Sequence, residues 1–423
     1  MRPATVIWPV HQDLVSPDPP GATWQATGSL AGIGVPFPVV AGRQVVVTGR
    51  QVTGSDRYVR RRMVLRRRRR RTAAVALLVT IVLVLVAIHP WSGSGPGRTA
   101  ERTGGTTAPT GRPAPVSPTT VPAADRVTAI GSLTRVYDEP GKELLPPHSP
   151  DGTAAAPRQV SVEVLYPATG VAGSPPIPGA PVADGGPFPL VVFGPGFDEA
   201  TASYDPILEA WASHGFVVAA ITFPLTNPAA PGGPYRPDIL NQPADMATVV
   251  QDLVAESSTP SSPLHGAVNG SEVGVAGQSD GGDTALALSY NTCCRFIEVG
   301  ATVILSGAEL HSYGGFPGTF FPSGAAVPPL LAFQGTADTV ENPPAYTDQF
   351  FTSAPQPKYL VCLDGADHLE AYTTSDSYEA LVAEASIDFL DHYLWHRPGS
   401  LAAMTAAVQA SPVASLATSC TPT

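Results

Sequence analysis

The chain has 423 residues, of which 47 are proline and 41 glycine, and a formal net charge of -11. Regular apolar patterning is confined to about residues 126 to 398, a length that matches one large α/β domain rather than several. Of the 24 basic residues, 13 lie at or before Arg71 against only three of the 35 acids; the 11 basic and 32 acidic residues beyond it argue against nucleic acid as a partner.

Residues 1–59 lack periodicity and read as a disordered cytoplasmic tail. Alternatively they precede the true start, since Met63 followed by VLRRRRRR makes an ordinary beginning for an exported chain in place of Met1. Residues 60–71 form a basic juxtamembrane segment. The uncharged run TAAVALLVTIVLVLVAI from Thr72 to Ile88 follows directly. At a rise of 1.5 Å per residue it reaches roughly 25 Å as a helix, the short end of a bilayer span. The segment 72–89 is therefore predicted to be one N-terminal transmembrane anchor with its arginines in the cytoplasm. A cleaved signal sequence, which would leave a secreted protein, is the competing reading. Both place the remainder outside the cytoplasm.

Residues 90–125 are rich in Pro, Gly, Thr and Ser and nearly devoid of large apolar side chains, the composition of a spacer. Extended, such a linker spans up to about 100 Å. Residues 399–423 read as a C-terminal tail. All four cysteines fall in the exported part, where disulfides persist. Cys362 with Cys420 would staple that tail to the domain; adjacent Cys293 and Cys294 are expected to be buried thiols, with a vicinal bridge or a redox pair as alternatives. No Cys/His spacing suggests a metal site, and no cofactor is called for.

Within 126–398 short apolar runs alternate with helical patterns, the mark of a mostly parallel sheet with helices on both faces. Strands are predicted at Val160 to Tyr166, Pro189 to Gly194, Phe216 to Thr222, Glu272 to Gly277, Ala301 to Ser306, Pro329 to Gly335 and Lys358 to Gly365. Helices are predicted at Pro206 to His214, Pro243 to Glu256, Asp280 to Tyr290, Ala345 to Phe351 and Ser377 to Trp395. Ligand sites in such sheets form beyond the carboxyl ends of the strands.

Four of those strand ends carry reactive or turn-forming residues. The strand EVGVAG runs into Gly277-Gln278-Ser279-Asp280-Gly281, a Gly-x-Ser-x-Gly turn that leads at once into a helix. A serine on so sharp a turn tolerates no side chain two residues either side, and the helix N-terminus helps activate its hydroxyl. After the earlier strand PLVVFG comes Gly194-Pro195-Gly196-Phe197; the N–H of Phe197, with that of Asp280, is the expected oxyanion hole. Asp338 follows the strand PLLAFQG as the acid, ahead of its competitors Asp364 and Asp367, and His368 follows the last strand as the base. His214, His265 and His311 lack that placement.

With PLVVFGPGF, ASHGFVVAAITFP (Ala212 to Pro224), GQSDGG, QGTADTV and KYLVCLDGADHLEAY in this order, the domain resembles the α/β-hydrolase superfamily. Within it the likeness is to the dienelactone hydrolase, chlorophyllase and bacterial cutinase-like (polyester hydrolase) group. The resemblance implies the α/β-hydrolase fold, a Ser279–His368–Asp338 triad and no cofactor. Two departures bear on substrate. Gln278 and Asp280 stand where the cutinase-like enzymes commonly have His and Met, and Ser306-Gly307-Ala308 lacks their aromatic clamp, so polyester cleavage is not implied. Serine replaces the cysteine nucleophile of dienelactone hydrolases proper.

The expected activity is carboxylic ester hydrolysis through an acyl-enzyme, on a small-molecule or lipid-like ester. A serine peptidase or amidase on the same fold, and a non-catalytic tethered binding protein, are the alternatives. A charged Asp280 suggests a preference for neutral esters, and Phe316 to Phe321 (FPGTFF) suggests either an acyl-pocket wall or a buried patch.

Overall fold

The computed structural model describes residues 127–421, apart from 148, 151–152, 309–314 and 375–376. The chain divides into units Met1–Arg112 and Pro113–Thr423. The N-terminal tail, the basic segment, the apolar run 72–89, the linker and His311 lie outside the described residues. Among the described residues no helix is long and apolar enough to cross a membrane.

The elements run β1 (Ala129–Leu144), β2 (Ala156–Ala168), β3 (Ile177–Pro178), β4 (Phe188–Gly194), α1 (Asp205–Ser213), β5 (Val217–Thr222), α2 (Gln242–Ser257), β6 (Val268–Gln278) and α3 (Asp280–Tyr290). They continue as β7 (Ala301–Leu305), β8 (Leu330–Gly335), α4 (Pro344–Ser353), β9 (Lys358–Leu363), α5 (Glu370–Thr373), α6 (Ser377–Tyr393), α7 (Ser400–Ala410) and β10 (Ala414–Ala417). Ten strands form one sheet in the order β10-β9-β8-β7-β6-β4-β5-β2-β1-β3. Pairing is parallel from β5 through β4, β6, β7 and β8 to β9, and antiparallel where β2 meets β1 and β5 and where β10 meets β9.

The central strands are apolar because both faces are covered. Every residue of β4, β7 and β8 is buried. Along β5 the two-residue period sends Val217, Ala219 and Ile221 to one core and Val218 and Ala220 to the other. The first core is closed by α2, α3 and α4 through side chains such as Met246, Leu286 and Phe350; the second by α1, α6 and α7 through Trp211, Phe389 and Met404.

Two features depart from the sequence reading. The segment after residue 398, read as a tail, contains α7 and the edge strand β10, and Cys420 is bonded to Cys362 of β9. Its apolar residues are mostly alanine, but Met404 and Val408 are fully buried and the pairing with β9 supplies the rest. Cys293 and Cys294, expected as buried thiols, are bonded to each other in the turn after α3. In the segment FPGTFF only Phe316 is buried, beside Cys294; Phe320 and Phe321 are half-buried, Phe321 with its ring 5.0 Å from that of Tyr290, and the residues between are exposed.

A buried ion cluster ties the start of the domain to α2. Arg158 of β2, 2% exposed, donates from Nε and Nη2 to Asp245 at 2.7 and 2.6 Å, and from Nη1 and Nη2 to Asp238 at 3.0 and 2.9 Å. Glu139 Oε2 lies 3.1 Å from the same Nε, and Lys142 reaches Glu139 Oε1 at 2.9 Å. Three carboxylates thus share one buried guanidinium, a charge surplus that water cannot screen. Burial pushes the Asp245 carboxyl up to about 7, with Arg158 pulling against it and Glu139 adding to the rise.

Candidate active site

The order of connections reverses between β4 and β6: β5 lies on one side of β4, and the chain then crosses back to place β6 on the other. Neighbouring carboxyl ends at such a switch point leave a crevice. Gly194 and Gly277 are register partners there, so the loops after β4 and β6 meet.

Ser279 sits in the turn between β6 and α3 with φ 52° and ψ -124°, a backbone region that non-glycine residues rarely enter. Glycine is required on both sides by close approach. A Cβ on Gly277 would strike the Gly281 carbonyl, and one on Gly281 would strike the Gly194 carbonyl. The Pro195-Gly196 loop is pressed onto the serine itself, since a Cβ on Gly196 would come within 3.2 Å of the Ser279 Cβ.

The structure brings the other two predicted residues to this serine. His368, in the loop after β9, has Nε2 2.9 Å from Ser279 Oγ and Nδ1 2.6 Å from Asp338 Oδ2. With its proton on Nδ1 the ring donates to the carboxylate and accepts from the hydroxyl, the polarity a general base requires. Asp338 is buried, and its Oδ1 takes the Asn342 N–H at 3.0 Å. Asn342 is fixed in turn through Nδ2 to the Gly307 carbonyl at 2.9 Å and to Gln334 Oε1 at 3.3 Å.

The competitors have other duties. Asp367 Oδ1 accepts the N–H groups of Leu369 and Glu370 at 3.0 and 2.7 Å, and Asp364 is exposed. His214 is bonded to the Ala210 carbonyl and His265 to that of Ser257.

No protein acceptor among the described residues takes the N–H of Phe197 or of Asp280. Both belong to the two loops that meet at Ser279, as an oxyanion site needs.

Several site residues carry no signal in the local sequence. Tyr204 donates to Gln278 Oε1 at 2.8 Å and accepts the Gly196 N–H at 3.3 Å, while Gln278 Nε2 donates to the His368 carbonyl at 3.0 Å. One buried glutamine, which sequence reading marked only as a departure from the relatives, therefore joins the oxyanion loop, the serine turn and the histidine loop. Asp283, one turn into α3, is buried and accepts the Ala308 N–H; burial, with Asp280 nearby, holds its carboxyl well above the ordinary value. Arg236, from the turn Arg236–Asn241, forms two bonds to Asp280: Nε to Oδ2 at 2.8 Å and Nη2 to Oδ1 at 2.5 Å.

That pairing corrects the expectation drawn from Asp280. Its carboxylate is not a bare negative charge but half of an ion pair, so repulsion of anionic substrates does not follow. Burial still raises its carboxyl above the ordinary value, with Arg236 and His368 drawing it back.

The strand order, the crossing at β4 and the serine turn between strand and helix define an α/β hydrolase. The chlorophyllase family model matches residues 157–306, a stretch that holds Phe197, Ser279 and Asp280 and stops short of Asp338 and His368. Over that stretch the chain is similar to the chlorophyllase family. Among solved structures it is similar to a ferulic acid esterase from Streptomyces cinnamoneus, at 20% identity and a TM-score of 0.49, over 66% of this chain and 93% of that one. No curated protein matches the chain.

Proposed function

We propose that the domain hydrolyses carboxylic esters by acyl transfer to water, with Ser279 as nucleophile, His368 as general base and acid, and Asp338 as the carboxylate that orients the ring. The observation that carries this reading is the continuous line from Asp338 Oδ2 through both imidazole nitrogens to Ser279 Oγ, at 2.6 and 2.9 Å. His368 takes the hydroxyl proton as Oγ attacks the carbonyl carbon, and Asp338 stabilises the imidazolium. The N–H groups of Phe197 and Asp280 receive the oxyanion. Collapse expels the alcohol with the proton from His368. The same ring then deprotonates the water that releases the acid and restores Ser279. A small-molecule or lipid-like ester fits this chemistry.

The test is a fluorophosphonate probe and a short-chain p-nitrophenyl ester, applied to the purified full chain and to Ser279→Ala. The parent is expected to be labelled at Ser279 and to turn over the ester, and the variant to lose both. An unlabelled, inactive parent overturns the reading, and a parent that cleaves the matching anilide as fast as the ester makes it an amidase instead.

The same proposal places the enzyme outside the cytoplasm, held by the apolar run 72–89. Two disulfides support an oxidising compartment. The chain expressed in a bacterial host is expected to stay with membranes through alkaline carbonate extraction; a soluble product whose N-terminus lies beyond residue 89 would identify a cleaved signal instead.

A further inference from the structure

The side chains of the two residues assigned to the oxyanion hole meet at a third. Arg236 grips both carboxylate oxygens of Asp280, and its guanidinium carbon stands 5.9 Å from the centre of the Phe197 ring, within reach of a cation–π contact. Phe197 leaves the β4 loop, Asp280 opens α3, and Arg236 comes from neither.

The turn that supplies Arg236 is itself braced. Two residues on, Asp238 receives the fork of Arg158 at 3.0 and 2.9 Å and the Asn241 side-chain amide at 2.8 Å. Arg158 in turn holds Asp245 of α2. Contacts therefore run from β2 through two arginine forks to the residue that follows the nucleophile. A fork fixes both distance and orientation, which a lysine ammonium cannot do.

Asp280 is 1% exposed and begins the helix whose first N–H is to receive the developing negative charge. A carboxylate there would oppose that charge through a medium that screens poorly. The Arg236 fork neutralises it in place.

We propose that Arg236 is a positioning residue for the oxyanion hole, holding the Phe197 and Asp280 loops in register and cancelling the Asp280 charge beside the oxyanion. This rests on the reading of Ser279 as nucleophile. Arg236 acts through these two neighbours and touches no reacting atom.

Arg236→Met, Arg236→Lys and the double variant Arg236→Met/Asp280→Asn test it on the full chain, with folding followed by thermal melts. Two quantities are read: kcat and KM for the p-nitrophenyl ester, and the second-order rate of fluorophosphonate inactivation, whose phosphoryl oxygen takes the oxyanion's place. Arg236→Met is expected to lower kcat about 10- to 100-fold, with KM changed less than about threefold and inactivation slowed in parallel. Arg236→Lys, which keeps the charge without the fork, is expected to fall between it and the parent, and it carries the test should the methionine variant not fold. The double variant is expected to regain at least about tenfold over Arg236→Met, because the uncompensated carboxylate is gone. Parent-like kcat in a folded Arg236 variant, a loss confined to KM, or a double variant no faster than the single would each overturn the proposal. A parent that the probe does not label overturns the nucleophile assignment instead, so the two failures are told apart.

Discussion

Tyr204 and Gln278 show how hydrogen bonds just behind the serine turn hold the site together, with Gln278 Nε2 3.3 Å from His368 Nε2. Removing the Tyr204 hydroxyl leaves Gln278 Oε1 and the Gly196 N–H without that partner in a buried setting. A buried polar group stripped of its partner costs about 1–3 kcal/mol. Tyr204→Phe should therefore lower the free energy of unfolding measured in urea by that order. It should also slow ester turnover, because the oxyanion loop and the His368 carbonyl share the same glutamine; unchanged stability and kcat in the variant would count against the network. Ser279, Asp338 and His368 could be picked out in the sequence as candidates because each follows a strand end in the order the fold uses, and the structure places them within hydrogen-bonding distance. Tyr204, Arg236 and Asn342 could not, since their partners lie across the fold and neither periodicity nor spacing registers such a contact. Gln278 and Asp280 were visible only as unusual neighbours of Ser279; what they bind had to come from the structure.

At the scale of elements, the ion cluster around Arg158 links β1, β2, the turn Arg236–Asn241 and α2 through groups that titrate. The folded chain keeps a proton on the raised Asp245 carboxyl up to about pH 7, whereas the unfolded chain has already released it above the ordinary aspartate value. Stability from this site is therefore full at low pH and falls as pH rises through about 7, at no more than about 1.4 kcal/mol per pH unit for one proton. Thermal melts at pH 5.5 and 8.5 should show the decline. Glu139→Gln, which removes one of the three carboxylates, should flatten it; an equal slope in the variant would place the titration elsewhere. Of the elements themselves, the buried parallel strands were legible because apolar runs bounded by glycine and proline have few other meanings. β1 and β10 were missed for a shared reason. β1 mixes Thr, Arg, Asp, Glu and Lys into its sixteen residues and breaks register between Asp138 and Glu143, and β10 is only four residues long. Their strand character comes from the neighbours they pair with rather than from their own composition.

For the molecule as a whole, the Cys362–Cys420 bond closes a separation of 58 residues and fixes the C-terminal segment to the sheet. Asp348 of α4 reinforces the attachment: burial pushes its carboxyl up, but the Thr421 hydroxyl, the Cys420 N–H at 2.8 Å, the Ser419 hydroxyl and the Thr421 N–H at 3.0 Å hold it below the ordinary range. A native bridge over a loop of this length contributes typically about 2–4 kcal/mol. The double variant Cys362→Ser/Cys420→Ser should unfold at a correspondingly lower temperature and lose most of the parent's sensitivity to reductant. The Cys293–Cys294 pair, which encloses no loop, should add little to that sensitivity, and a variant lacking it that melted as low as the first would reverse the assignment. The segment after residue 398 was read from composition as a tail; it carries instead a short alanine-rich helix and an edge strand, tied down by the bond to Cys362.

Strand β10 has a further consequence. It occupies the hydrogen-bonding edge of β9, which without it would present open N–H and C=O groups to any other chain. The bond from Cys362 to Cys420 holds β10 against that edge and leaves the four-residue β10 as the last strand on this side of the sheet. Protein made in a reducing cytosol would lack that bond, and its losses are expected as insoluble aggregates joined at β9, whereas the same chain exported into an oxidising space keeps β9 covered by β10.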